Sequence, residues 1–218
     1  MAQNLYGQLV GLAAATLLLT AVLLVWRRSV AASVRLLSMQ GAALAVLVAV
    51  IAVHEPSAQL AVVAGLVFVL KAVVLPRVLG RSVGLDPAQT QVPRVNPTAA
   101  LISAALLTIL AYLVSRPILE GSSDHATQAV PVAVALVLIG FLLLVVRRHA
   151  LAQLVGFLVL DNGIATVAFL TSAGVPLVVE LGVSLDVLLV VLVLHVLTGR
   201  MRTKFGATDL DDLTELRD

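Results

Sequence analysis

The sequence predicts an all-α, polytopic membrane protein of about seven transmembrane helices, with its N-terminus outside and its C-terminus in the cytoplasm. Three observations carry this reading. The 218 residues are 61% hydrophobic and 12% charged, with a mean hydropathy of +1.10, whereas a soluble domain is about 45–50% apolar and about 25% charged. Apolar runs of roughly 20 residues, the length that crosses a bilayer, recur along the chain. Finally, the basic residues gather in alternate connections between those runs.

The first run, 5–25, has no charge before it, and Arg27 and Arg28 follow it. A secretory signal has its positive charges in front, so this run reads as a retained span. Further spans are expected at 34–53, 57–79, 97–115, 128–146, 151–171 and 175–197, the last two joined by the tight turn Ser172-Ala173-Gly174. Cytoplasmic loops of membrane proteins concentrate Lys and Arg. With the N-terminus outside, the inner loops and the tail hold 12 of the 14 basic residues. Only Arg116 falls outside, and Lys71 falls within a span. An even number of spans would put the final basic cluster, Arg200, Arg202, Lys204 and Arg217, on the wrong side.

This divides the chain into a three-helix unit (1–79), a cytoplasmic linker with Pro87 and Pro93 (80–96), a fourth helix with an outer loop (97–127), a three-helix unit (128–205) and an acidic tail (206–218). Gln40-Gly41 after Arg27-Arg28 is faintly echoed by Asp161-Asn162-Gly163 after Arg147-Arg148. In the tail, Leu210, Leu213 and Leu216 fit one face of a short helix capped by Thr208.

Four charged residues fall inside spans: Lys71 in the third, Asp161 in the sixth, and Glu180 and Asp186 in the seventh. A charge at the bilayer centre costs at least ~2.5–3.5 kcal/mol on insertion scales. Such residues face protein or water and mark ion paths. Lys71, Asp161 and Asp186 are expected at similar depth, with Glu180 nearer the outer surface; the lysine stem is too short to reach the inner headgroups. Gln40 and Thr108 read as interhelical hydrogen bonds, and His195 as an interfacial histidine. Static helix-to-helix pairing remains the plain alternative for both aspartates.

With no cysteine, the chain holds no thiolate-ligated cluster or disulfide, and His54, His125, His149 and His195 show no metal-ligand spacing. No P-loop, GxSxG, HExxH or nucleotide fingerprint is present, and the basic residues follow an inner-face pattern rather than a nucleic-acid stripe.

Residues 144–170, LVVRRHALAQLVGFLVLDNGIATVAFL, resemble the second helix of the small K-type subunit of respiratory complex I. The longer architecture is similar to component E of hydrogenase-4 and formate hydrogenlyase-type complexes. Asp161-Asn162-Gly163 resembles that family's acid-Asn-Gly, ELGVSLD from Glu180 to Asp186 its acid-Leu-Gly-to-Asp segment, and KAVVLP from Lys71 to Pro76 its Lys-to-Pro segment. Leu158 stands where the complex I subunit has its acid, and Asp161 lies one turn later. The resemblance implies a non-catalytic membrane subunit of an energy-converting assembly in the cytoplasmic membrane of a prokaryote. Its partners would be antiporter-like membrane subunits and a peripheral hydrogenase-type module. It implies no cofactor in this chain, with a nickel–iron site and iron–sulfur clusters in partner subunits. Asp161, Asp186, Lys71 and Glu180 would contribute to proton or sodium movement. A stand-alone secondary transporter and a purely structural membrane subunit are the rival readings.

Overall fold

The computed structural model describes residues 2–27, 29–84, 96–121, 126–147 and 150–171, all within one compact unit, Met1–Val183. The expected seventh span lies outside the described residues, and with it Glu180, Asp186 and His195. The described residues form α1 (Ala2–Trp26), α2 (Val30–His54), α3 (Ala58–Val67), a π-helical stretch (Phe68–Val74), α4 (Leu75–Gly84), α5 (Pro97–Glu120), a 3-10 turn (Thr127–Ala129), α6 (Val130–Val146) and α7 (Ala150–Thr171). The third span is continuous through α3, the π-helical stretch and α4. Six of the helical rods are long and apolar enough to cross a membrane.

Helices begin where a polar side chain can satisfy their free N–H groups. Ser29 caps α2, Ser57 caps α3 and Asn96 caps α5, accepting from Ala32, Leu60 and Thr98 respectively. Pro97 opens α5 at a position where the missing N–H costs nothing.

The interior is built from α2, α6 and α7, while α5 is the least buried span. Its outer face carries Ile102, Leu106, Ile109, Leu113 and Ile118, all exposed. On a water-soluble protein such a band would be an association hazard; in a bilayer, lipid tails are as apolar as leucine and cover it without penalty.

Without a hydrophobic force between helices, membrane packing depends on close backbone approach. The α6–α7 crossing achieves it reciprocally. A Cβ on Gly140 of α6 would lie 2.5 Å from the Leu160 nitrogen, and one on Gly163 of α7 would lie 2.7 Å from the Val137 nitrogen.

One end of the bundle is tied by an arginine. Arg147, directly after α6, is buried, and its guanidinium donates to the carbonyls of Leu24 and Arg27 at 2.7 Å and of Val25 at 3.5 Å. These belong to the C-terminal turn of α1 and the residue just beyond it, where helical carbonyls lack partners and a cation is favoured. Burial pulls the guanidinium below its usual pKa, but arginine keeps its charge at physiological pH. The sequence marks Arg147 as an inner-loop charge and as part of the Arg147-Arg148 pair, not as a tie to α1. At the other end, Tyr6 of α1 stacks on His54 of α2 with ring centroids 3.8 Å apart.

Arg147→Ala strips those carbonyls of this donor. A buried acceptor left unpaired costs about 1–3 kcal/mol, so the purified chain should melt at a lower temperature. Arg147→Lys should recover only part of the loss, because all three bonds come from one terminal guanidinium nitrogen, and the lysine nitrogen sits on a stem one atom shorter.

Candidate functional site

A polar layer crosses the bundle at one depth. Leu17 lies nine residues in from the Trp26 end of its span, Gln40 nine from Ala31, Lys71 nine from Gly80 and Asp161 nine from Ala152. At ~1.5 Å per residue each is about 14 Å from that end, near the middle of a hydrocarbon core about 30 Å thick. All four ends lie on the same side. Arg147 joins the last turn of α1 to the α6–α7 connection, and Gly80 faces Val34 near the start of α2.

Lys71 sits within the π-helical stretch, and Pro76 supplies the reason. Proline has no N–H to give the carbonyl four residues earlier, and its ring crowds that carbonyl. Here the carbonyl is that of Ala72, and Ser38 of α2 donates its hydroxyl to it at 2.5 Å. The helix therefore leaves α geometry just before Pro76, with its freed acceptor satisfied from a neighbour. Helical stretches of this kind recur at functional sites. Gly41 of α2 makes the approach possible, since a Cβ there would fall 2.6 Å from the Lys71 carbonyl carbon and 2.9 Å from the Ala72 nitrogen.

Lys71 Nζ donates to Asp161 Oδ2 at 2.6 Å, joining residues 90 apart in sequence. Side-chain exposures of 3% and 6% place both charges inside protein rather than against lipid or open water. Lys71 is thus turned inward, as the length of its stem required. Beside the pair, Asn162 Nδ2 donates to Gln40 Oε1 at 3.0 Å. Gln40, fully buried, points its Nε2 at the Leu17 carbonyl at 3.5 Å. Thr20 donates to the same carbonyl at 2.8 Å, and Thr166 donates to the Asn162 carbonyl at 2.6 Å. Polar side chains from α1, α2, the third span and α7 thus gather near one depth of the bundle.

Of the expected site residues, the structure brings Lys71 and Asp161 together. Glu180 and Asp186 lie outside the described residues. Gln40 makes the interhelical bond expected of it. Thr108 does not. Its hydroxyl donates to Ala104 within α5 at 2.8 Å, the local back-bond by which a helical threonine satisfies itself. Asn162 stands in the polar Asp161-Asn162-Gly163 segment that the sequence marks, whereas nothing in the sequence singles out Ser38. Among the described residues no three His, Asp or Glu side chains gather as a metal would require.

No family model matches the chain, and no solved structure matches it. It is 47% identical over 215 residues to "Uncharacterized protein Rv0085" of Mycobacterium tuberculosis, an alignment covering 98% of each chain. It is also 29% identical over 122 residues to "Hydrogenase-4 component E" of Escherichia coli strain K12 and of Shigella flexneri, with 56% of either chain covered.

Proposed function

This chain belongs to one family with Rv0085 of Mycobacterium tuberculosis, and we propose that it is a non-catalytic membrane-arm subunit of a complex I-like energy-converting assembly, of the hydrogenase-4 type. The partial similarity to hydrogenase-4 component E and the six apolar helices support the class. The observation that carries the reading is the Lys71–Asp161 pair, 2.6 Å across and buried at mid-span. Two opposite charges at such depth need each other, and charges retained there mark ion paths.

In this proposal the chain crosses the cytoplasmic membrane of a prokaryote seven times, N-terminus outside. The placement of 12 of its 14 basic residues on the inner side supports that topology. The seventh span adds Asp186 and Glu180 to the path that begins at Lys71 and Asp161. Antiporter-like subunits flank the chain. A peripheral module in partner subunits holds the nickel–iron site and the iron–sulfur clusters. Electron flow there alters the charge or hydration of the pair, and a proton or sodium ion moves.

Asp161→Asn tests this, because it nearly preserves shape while removing the charge. In membrane vesicles bearing the assembled complex, hydrogen evolution from a supplied low-potential reductant should continue while proton or sodium uptake falls to near background. Ion uptake equal to the wild type, with the variant fully assembled, overturns the proposal. The structural rival draws on the Gln40–Asn162 bond, which by itself ties α2 to α7; it predicts a loss of assembly with coupling intact.

A further inference from the structure

Gln40 and Gly41 are neighbours on α2, yet each touches a different half of the ion pair's support. Gln40 holds Asn162, the residue after Asp161. Gly41 lies against the backbone of Lys71 and Ala72. We infer that this dipeptide positions the pair: Gln40 sets the rotation of α7 that turns Asp161 toward the third span, and Gly41 sets how closely the Lys71 segment seats on α2.

The argument is geometric. Successive residues of an α-helix point about 100° apart, so a bond at Asn162 fixes the bearing of Asp161 beside it. An aspartate carboxylate has a short reach, and a small turn of α7 would carry it out of the 2.6 Å contact. Lysine is longer, but its Cα is located by the Gly41 contact and by Ser38, which holds the Ala72 carbonyl at 2.5 Å. Thus α2 sets the spacing of the two segments that carry the charges without contributing a charge of its own. Gln40 is in turn directed by the Leu17 carbonyl of α1, so the arrangement is referenced to a third helix.

The inference rests on the proposed ion-moving role of the pair, and the experiment separates the two. Gln40→Asn shortens the side chain by one methylene and loses reach to Asn162. Adding Asn162→Gln returns that methylene from the other side. Assembled complex in vesicles is supplied with a low-potential reductant, and proton and sodium uptake per hydrogen evolved is followed across pH. Gln40→Asn is expected to pump about 3- to 10-fold less per turnover, within the range of close pairwise couplings, and to move the pH of half-maximal pumping. The Gln40→Asn/Asn162→Gln swap is expected to return both to near wild-type values. Asn162→Ser removes the amide from the opposite partner and should match Gln40→Asn, so the test stands if one variant fails to accumulate.

Wild-type pumping in both single variants overturns the inference. So does a loss that only follows the amount of assembled complex with the pH profile unmoved, or a swap that restores nothing. Asp161→Asn in the same preparation is the reference. If it pumps normally, the ion-moving role itself fails. If it does not pump while Gln40→Asn and Asn162→Ser do, only the positioning role fails.

Discussion

Lys71→Met is expected to destabilise the chain more than any other single substitution in the polar layer, by about 3–5 kcal/mol, the cost of leaving a buried charge without its partner. Asp161→Leu should do similar damage from the other side. The two together should not add. Replacing a buried ion pair with apolar groups of similar volume is often neutral, or stabilising by about 1–4 kcal/mol. The Lys71→Met/Asp161→Leu chain should therefore accumulate in the membrane and melt close to the wild type. Thermal unfolding of the four purified chains gives the interaction energy directly. An additive result would mean that the 2.6 Å contact does not govern the stability of either charge.

The second large effect belongs to Gly140. A Cβ there would stand 2.5 Å from the Leu160 nitrogen and 2.6 Å from its Cα. Both are backbone atoms, so no rotamer change can relieve the clash, and α6 must move away from α7. Overpacking typically costs about 1–3 kcal/mol where side chains can adjust; Gly140→Val should exceed that and prevent the chain from accumulating. Gly11 of α1 is the control, since a Cβ there meets nothing within 4 Å. Gly11→Ala should leave the isolated chain unchanged or stabilise it by about 0.5–1 kcal/mol through helix propensity. Membrane level and melting temperature of the two variants check the contrast.

How much of this was legible beforehand follows the range of the interactions. Six spans are legible among the described residues, because a run of apolar residues long enough for a bilayer is a local property. Lys71 and Asp161 were each legible as costly residues for the same reason. Their contact was not, since it joins positions 90 residues apart and depends on how two helices lean across a third. Pro76 lay within a segment already marked for its lysine, but its consequence needed Ser38 from another helix to become visible. Arg147 is legible as an inner-loop charge and as part of the Arg147-Arg148 pair, but not as a tie to α1, because its bonds to the end of α1 reach across 120 or more residues. Thr108 was misjudged because a threonine at membrane depth has two ways to satisfy its hydroxyl, and the nearer, within its own helix, prevailed.

Stability and ion movement separate most cleanly in the doubly apolar chain, Lys71→Met/Asp161→Leu. The deciding measurement is ion uptake by vesicles containing the complex assembled with that chain, normalised to its redox turnover. Uptake near background from a fully assembled, turning-over complex is the predicted result. Uptake equal to the wild type would contradict the account and reduce the pair to a fastening between two helices.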